Sequence, residues 1–183
     1  MSVVKIGNVW TVNDGNYKSR SFTFDFAQVT AQGKPTRATV GVHEGWSLPI
    51  YNSDNEELFT CDCVPGDWDG VTNPVFLIGG WLDTANTSKN FKLQVSVACV
   101  SNGEIVGATT TDLKVETATG TASQYQFFIV QFPWNAVAGG CVSDDAVGIR
   151  IRRIAAGSNE ITGEFVVKGL GIKYKTNKAG SAS

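Results

Sequence analysis

The sequence is poor in charge. Lysine, arginine, aspartate and glutamate together make up 17 % of its 183 residues, against about 25 % in ordinary globular chains. The net charge is −2, and the only dense basic run is Arg150, Arg152 and Arg153. That excludes the clustered basic footprint of a nucleic-acid binder. On a strand, Arg150 and Arg152 share one face while Arg153 points to the other. The run is read as a solvated or interface face, with a local anion site as the alternative. There is one histidine, His43, so catalytic and metal-site designs built on several histidines are excluded. No apolar run approaches the roughly 20 residues that span a bilayer as a helix. Met1-Ser-Val-Val-Lys-Ile-Gly-Asn lacks the basic start and apolar run of a signal peptide. The expectation is a chain made and folded in a cytoplasm, with neither nucleic acid nor membrane as partner. Helix signals are missing too: no window carries an apolar i, i+3, i+4, i+7 stripe with caps.

Threonine, serine, asparagine and glycine take the place of charge, with 20 glycines and 42 % hydrophobic residues. The length fits one domain of roughly 100–200 residues and is enough to bury a core. Apolar and polar residues alternate with the period of half-buried antiparallel strands. In 90–100, Phe91, Leu93, Val95, Val97 and Cys99 share one face, and Lys92, Gln94 and Ser96 the other. Segment 21–27 turns Phe22, Phe24 and Phe26 inward. Segment 146–154 turns Val147, Ile149 and Ile151 inward. Segment 164–175 aligns Val166, Leu170, Ile172 and Tyr174. Segments 108–116 and 124–132 supply further strands. The continuous apolar run 74–82 reads as a central strand buried on both faces, with Gly79-Gly80 marking a bend or bulge. Asn102-Gly103 between apolar strands signals a hairpin. The expected fold is all-β, an antiparallel β-sandwich of jelly-roll type with about eight strands and little or no helix. Residues 1–20 form an N-terminal arm or edge strand, 21–176 the jelly-roll domain, and 177–183 a flexible tail.

The search for chemistry finds little. No nucleophile elbow or phosphate loop is present, and His43 beside Glu44 reads as a surface pair. Asp67 and Asp69, in Pro65-Gly-Asp-Trp-Asp-Gly, are a weak calcium candidate, because the later oxygen ligands of a calcium loop are missing. An Asx-type turn is the simpler reading. The four cysteines read as buried free thiols, with a disulfide or a metal site as lesser alternatives; Cys61 and Cys63 point the same way on a strand. Trp46, Trp68 and Trp134 lie in turn-like contexts. Their ordinary role is core or interface packing, and their alternative role is stacking on a sugar. No cofactor is expected, and the chain is read as a binder rather than an enzyme.

A set of motifs recurs in order. Asp54-Asn-Glu-Glu precedes Leu58-Phe-Thr-Cys; then come Val64-Pro-Gly-Asp-Trp-Asp-Gly, Asp145-Ala-Val-Gly-Ile-Arg-Ile-Arg-Arg and Val167-Lys-Gly-Leu-Gly-Ile-Lys-Tyr. Over about residues 40–175 this resembles a loose group of tailed-bacteriophage virion proteins. Where their pattern has Gly-Asp before the Ile-Arg strand, this chain has Asp144-Asp145-Ala-Val-Gly. The resemblance implies a virion structural protein that binds and stabilises the assembled capsid as a decoration or cement protein. Its partners are then the viral capsid protein and itself as a homotrimer, and its place is the capsid surface after synthesis in the host cytoplasm. The arm residues Val3, Val4, Ile6, Trp10 and Val12 are its expected contact element. The alternative within the same fold is a tail-fibre or spike head, or a carbohydrate-binding module that recognises a receptor.

Overall fold

The computed structural model describes residues 17–22, 35–49, 56–106 and 110–176 in full, and the backbone alone for strands at 3–6, 9–12 and 26–28. The strands are β1 (Val3–Ile6), β2 (Val9–Val12), β3 (Tyr17–Phe22), β4 (Phe26–Gln28), β5 (Thr36–Val40), β6 (His43–Leu48), β7 (Glu57–Cys63) and β8 (Val75–Leu82). They continue as β9 (Asn86–Thr87), β10 (Asn90–Val100), β11 (Thr111–Ala118), β12 (Thr121–Ala122), β13 (Phe127–Pro133), β14 (Ala146–Ile154) and β15 (Phe165–Lys175). No helix occurs among the described residues.

The strands build an antiparallel two-sheet sandwich of jelly-roll type. One sheet has five strands in the order β11-β10-β14-β7-β4. The other has six, in the order β13-β8-β15-β6-β5, with β3 also paired to β15. This exceeds the eight or so strands expected, because short edge strands such as β5 carry no apolar alternation. The alternation over 21–27 is shared between two sheets: β3 pairs with β15, and β4 pairs with β7. Phe24 lies outside the described residues, as does the tail 177–183.

The core fills the space between the sheets, as period-two patterning requires. Phe91, Leu93, Val95 and Val97 from β10 and Val147, Ile149 and Ile151 from β14 meet Phe76, Ile78, Phe165, Leu170 and Ile172 from the facing sheet. The Phe91 and Phe165 rings stack at 4.7 Å across the interface. Arg153 enters this layer from β14 and is buried. Its guanidinium donates to Glu160 and to the carbonyls of Gly163 at 2.6 Å and Ile161 at 3.2 Å, so the buried charge is paired and bonded.

Two readings of strand faces change. The irregularity signalled by Gly79-Gly80 sits on the partner strand, where β15 shifts register between Val167 and Gly169. The extra residue turns Val166 to the outer face against Trp81, away from Leu170, Ile172 and Tyr174. Gly80 is required there: a Cβ would lie 2.3 Å from the Val166 carbonyl oxygen and 2.7 Å from the Phe165 ring. The buried-thiol reading is corrected for all four cysteines. Cys99 and Cys141 form a disulfide with Cα atoms 5.8 Å apart, because the loop after β13 folds back onto the end of β10. Cys61 and Cys63 are free and exposed, because both lie on the outer face of β7.

Candidate functional site

The turn rich in aspartate and tryptophan, Pro65-Gly-Asp-Trp-Asp-Gly, is structural. Asp69 Oδ1 accepts from the Val71 and Thr72 amides at 3.0 and 2.8 Å, and Oδ2 from the Thr72 hydroxyl at 2.7 Å. Asp67 accepts from Lys18 and, at 2.9 Å, from the Tyr174 hydroxyl. The two carboxylates are therefore committed to different partners and do not converge on a common ligand point. Among the described residues no group of three or more His, Cys, Asp or Glu side chains is placed to hold a metal ion.

Burial alone would raise the Asp67 pKa, but the bonds from Lys18 and Tyr174 and the Lys18 charge outweigh it and hold the carboxyl below its ordinary range. Burial and the Asp67 carboxylate push the Tyr174 hydroxyl upward, so it stays a donor. The lowered carboxyl pKa sets the sign of the pH effect. The cluster contributes its full stability above the unfolded carboxyl value near 3.8 and loses it as pH falls through the lower folded value. Acid titration of urea unfolding should show this loss, and Asp67→Asn should remove that part of the pH dependence.

The sugar-stacking reading of Trp68 and Trp134 is corrected. They are 1 % and 2 % exposed, because their loops fold over the end of the sandwich rather than projecting from it. Trp68 donates its indole N–H to the Thr72 carbonyl at 2.7 Å, and Trp134 stacks on Phe76 at 5.1 Å. Trp46 is half-buried, with the Arg37 guanidinium 4.1 Å from its ring centroid, so one face of the ring is already occupied. The backbones of β1 and β2 pair as a hairpin, Val3 opposite Val12. The side chains of Val3, Val4, Ile6, Trp10 and Val12 lie outside the described residues.

The described residues do form a groove, on the outer face of the five-stranded sheet. Odd-numbered apolar residues of β10 point into the core, so Gln94, Ser96 and Ala98 point out. By the same alternation β14 presents Gly148, Arg150 and Arg152, β7 presents Glu57, Phe59 and Cys61, and β11 presents Asp112. Register aligns them across the strands. Ser96 lies opposite both Asp112 and Arg150, and Arg150 lies opposite Phe59. Ala98 lies opposite Gly148, and Gly148 opposite Cys61. A row of small side chains thus runs beside a row of tall ones. The resulting groove encloses about 570 Å³ and is lined by Phe59, Cys61, Ser96, Ala98, Thr110, Asp112, Gly148 and Arg150, among others. Among the described residues the space above Gly148 is open, with nothing within 4 Å of where a Cβ would stand.

The polar wall is held by bonds that fix side-chain positions before any ligand arrives. The Ser96 hydroxyl donates to Asp112 Oδ1 at 2.6 Å and accepts from Gln94 Nε2 at 3.1 Å and Arg150 Nη2 at 3.0 Å. Its one donor and two acceptor sites are all used. Arg152 Nη2 donates to Gln94 Oε1 at 3.2 Å. The Ser96 bond, opposed by partial burial and aided by the Arg150 charge, holds Asp112 below the ordinary carboxylate range. At neutral pH Asp112 is therefore a hydrogen-bond acceptor and not a proton donor. A second depression, about 510 Å³, lies at the disulfide end between the loops after β10 and β13, bounded by Cys99, Ser101, Ile105, Gly140 and Asp145.

Of the residues lining the groove, the sequence singles out Arg150, with an anion site as an alternative, and Cys61, with a metal site as an alternative. Phe59 and Gly148 fall in segments quoted only for the family resemblance, and Ser96, Ala98 and Asp112 carry no motif. Their signal is membership of an outward strand face, and only register brings the faces together.

No protein-family model matches the chain, and no curated protein is similar to it in sequence. Solved structures are similar to it in shape. The CBM36-1 domain of a multidomain xylanase from the hindgut metagenome of Trinervitermes trinervoides matches with a TM-score of 0.44 at 10 % identity, over 90 % of this chain and 100 % of that one. The family 11 carbohydrate-binding module from Clostridium thermocellum matches with a TM-score of 0.40 at 15 % identity, over 90 % and 94 %. A chain from the structure of infectious bursal disease virus, Gx strain, matches with a TM-score of 0.39 at 7 % identity. There the match spans 93 % of this chain but only 34 % of the viral one. The likeness extends to the two-sheet β architecture and no further.

Proposed function

We propose that the chain is a non-catalytic binding module whose ligand is a glycan lying in the groove over Ala98 and Gly148. The groove itself carries this reading. Its volume, about 570 Å³, falls within the roughly 300–1,000 Å³ of ordinary ligand sites. A sugar ring needs an apolar surface and polar groups fixed at its rim. Phe59, half-buried on the groove wall, and the small floor supply the first. Thr110, Asp112 and Arg150 supply the second, with Ser96 holding the last two in place. The pre-formed hydrogen bonds lower the ordering cost of binding. An ionised Asp112 with no second acid among the described residues that line the groove fits recognition rather than glycoside hydrolysis, which needs a protonated carboxyl beside a second carboxylate.

Affinity electrophoresis through gels containing soluble polysaccharides, neutral and acidic, tests the proposal. The wild-type chain should be retarded by at least one of them. Gly148→Phe, which fills the open space without touching the core, should migrate as in an empty gel and melt at the wild-type temperature. A Gly148→Phe variant retarded as strongly as wild type would exclude the groove.

A second reading keeps a specific support. Val71, Ile105, Val106, Val137 and Val142 are exposed on loops at the disulfide end, with Ile105 and Val106 at 82 % and 83 %. Such side chains suit a protein contact. With the resemblance to tailed-bacteriophage virion proteins, they favour a virion structural role on the particle surface, the chain meeting the capsid protein or its own copies in a homotrimer. The disulfide fits either reading, since disulfides persist in secreted proteins and on virion surfaces. Co-sedimentation with intact particles is expected under this reading, and a chain missing from washed particles would defeat it.

A further inference from the structure

The charges on the groove wall are unevenly matched, and resting on the glycan reading of that groove we infer that its preferred ligand is an acidic sugar whose carboxylate docks on Arg150. Each guanidinium carries five N–H donors. Among the described residues Arg150 makes one hydrogen bond, to Ser96 at 3.0 Å, and Arg152 makes one, to Gln94 at 3.2 Å. Both face the same atom of one buried carboxylate, Glu57 Oε1, at 3.4 and 3.7 Å, too far for strong charge-assisted bonds. The Arg152 Nε is buried without a partner. Two cations thus share one close anion, and most of their donors are unspent.

The second nearby carboxylate, Asp112, is already bonded to Ser96, and Lys114 lies beside it on β11, opposite Gln94. Among the described residues Arg150, Arg152 and Lys114 face Glu57 and Asp112, an excess of positive charge within a chain of net charge −2. Arg150 lines the groove, while Arg152 stands behind it, one row along the strand. A carboxylate entering over Gly148 meets the planar fork of Arg150, which suits two parallel N–H···O bonds. A neutral sugar at the same place leaves those donors to water alone.

Calorimetric titration of the full chain with oligogalacturonate and with its fully methyl-esterified form tests the inference. The two probes share a backbone and differ in charge. The acid form should bind about tenfold or more tightly, a gap on the scale of one charged hydrogen-bonding interaction. The gap should narrow as salt rises. Arg150→Gln should erase the preference, and Arg150→Lys, which keeps the charge but loses the fork, should retain part of it. Melting curves guard against misfolded variants, and the salt dependence is read on the wild-type chain alone. Equal binding of the two forms, or a preference untouched by Arg150→Gln, would overturn the acidic-sugar inference while leaving the glycan groove intact. Binding of neither probe with capture of a neutral polysaccharide would do the same. Capture of no glycan at all would overturn both.

Discussion

Trp134→Ala is expected to lower the free energy of unfolding by about 3–5 kcal/mol, the usual cost of truncating a buried large aromatic. The indole is 2 % exposed and stacked on Phe76 at 5.1 Å with an interplanar angle of 29°. Its own amide donates to the Pro74 carbonyl at 2.9 Å, so the loop after β13 is pinned at the point where the ring enters the core. Removing the ring leaves a cavity between Phe76 and this loop that the rigid strand β8 cannot close. Domains of this size carry only about 5–15 kcal/mol in total, so the variant should be near the edge of folding at 37 °C. The same experiment separates two roles. A ring serving as a sugar platform would lose ligand affinity with little loss of stability. Urea unfolding should instead show a large drop in midpoint, while under the glycan proposal folded protein below the transition should be retarded by polysaccharide as wild type is.

Loss of the Cys99–Cys141 bond should cost about as much. It closes a loop with a sequence separation of 42, for which the chain-entropy relation gives about 4 kcal/mol. It also ties β10, in the five-stranded sheet, to the loop that follows β13, in the six-stranded sheet. Unfolding with and without reductant should differ by that amount, and Cys99→Ser should match the reduced protein. Alkylation of native, unreduced protein should modify Cys61 and Cys63 only, since these are the free and exposed thiols. Modification of all four cysteines with no stability difference on reduction would return the chain to the free-thiol expectation.

The sandwich could be read from the sequence because its strands carry their own evidence. Phe91 to Val97 and Val147 to Ile151 alternate in sequence; burial follows the alternation along β14, while in β10 the outward Gln94 and Ser96 are buried as well. Asn102-Gly103 sits in a local turn, closed by the Glu104 amide on the Ser101 carbonyl, at the start of the longer connection 101–110 from β10 to its antiparallel partner β11, with Gly103 at a φ of 90°. Misreadings arose where the deciding contact is distant. The residue added at the β15 register shift reverses the face of Val166, and only pairing with β8 exposes it. Trp68 and Trp134 stand in turn sequences, and local composition cannot tell a turn folded over the core from one projecting into water. Ser96 meets Arg150 across 54 residues of chain, so the groove wall exists only after β10 and β14 pair. The charged run at 150–153 was visible in the sequence, including its split between faces. That Arg153 is buried beside Glu160 while Arg150 looks into a groove was not.

The central claim is that the outer face of the five-stranded sheet is where a glycan binds. Amide chemical-shift mapping during titration with the tightest-binding oligosaccharide tests it most directly. If a glycan binds there, the shifts should cluster on Cys61, Ala98, Thr110, Gly148 and Arg150, with the outer face of the six-stranded sheet unmoved. Shifts gathered instead on the loops of Ile105 and Val142, or on β13 and β8, would contradict it.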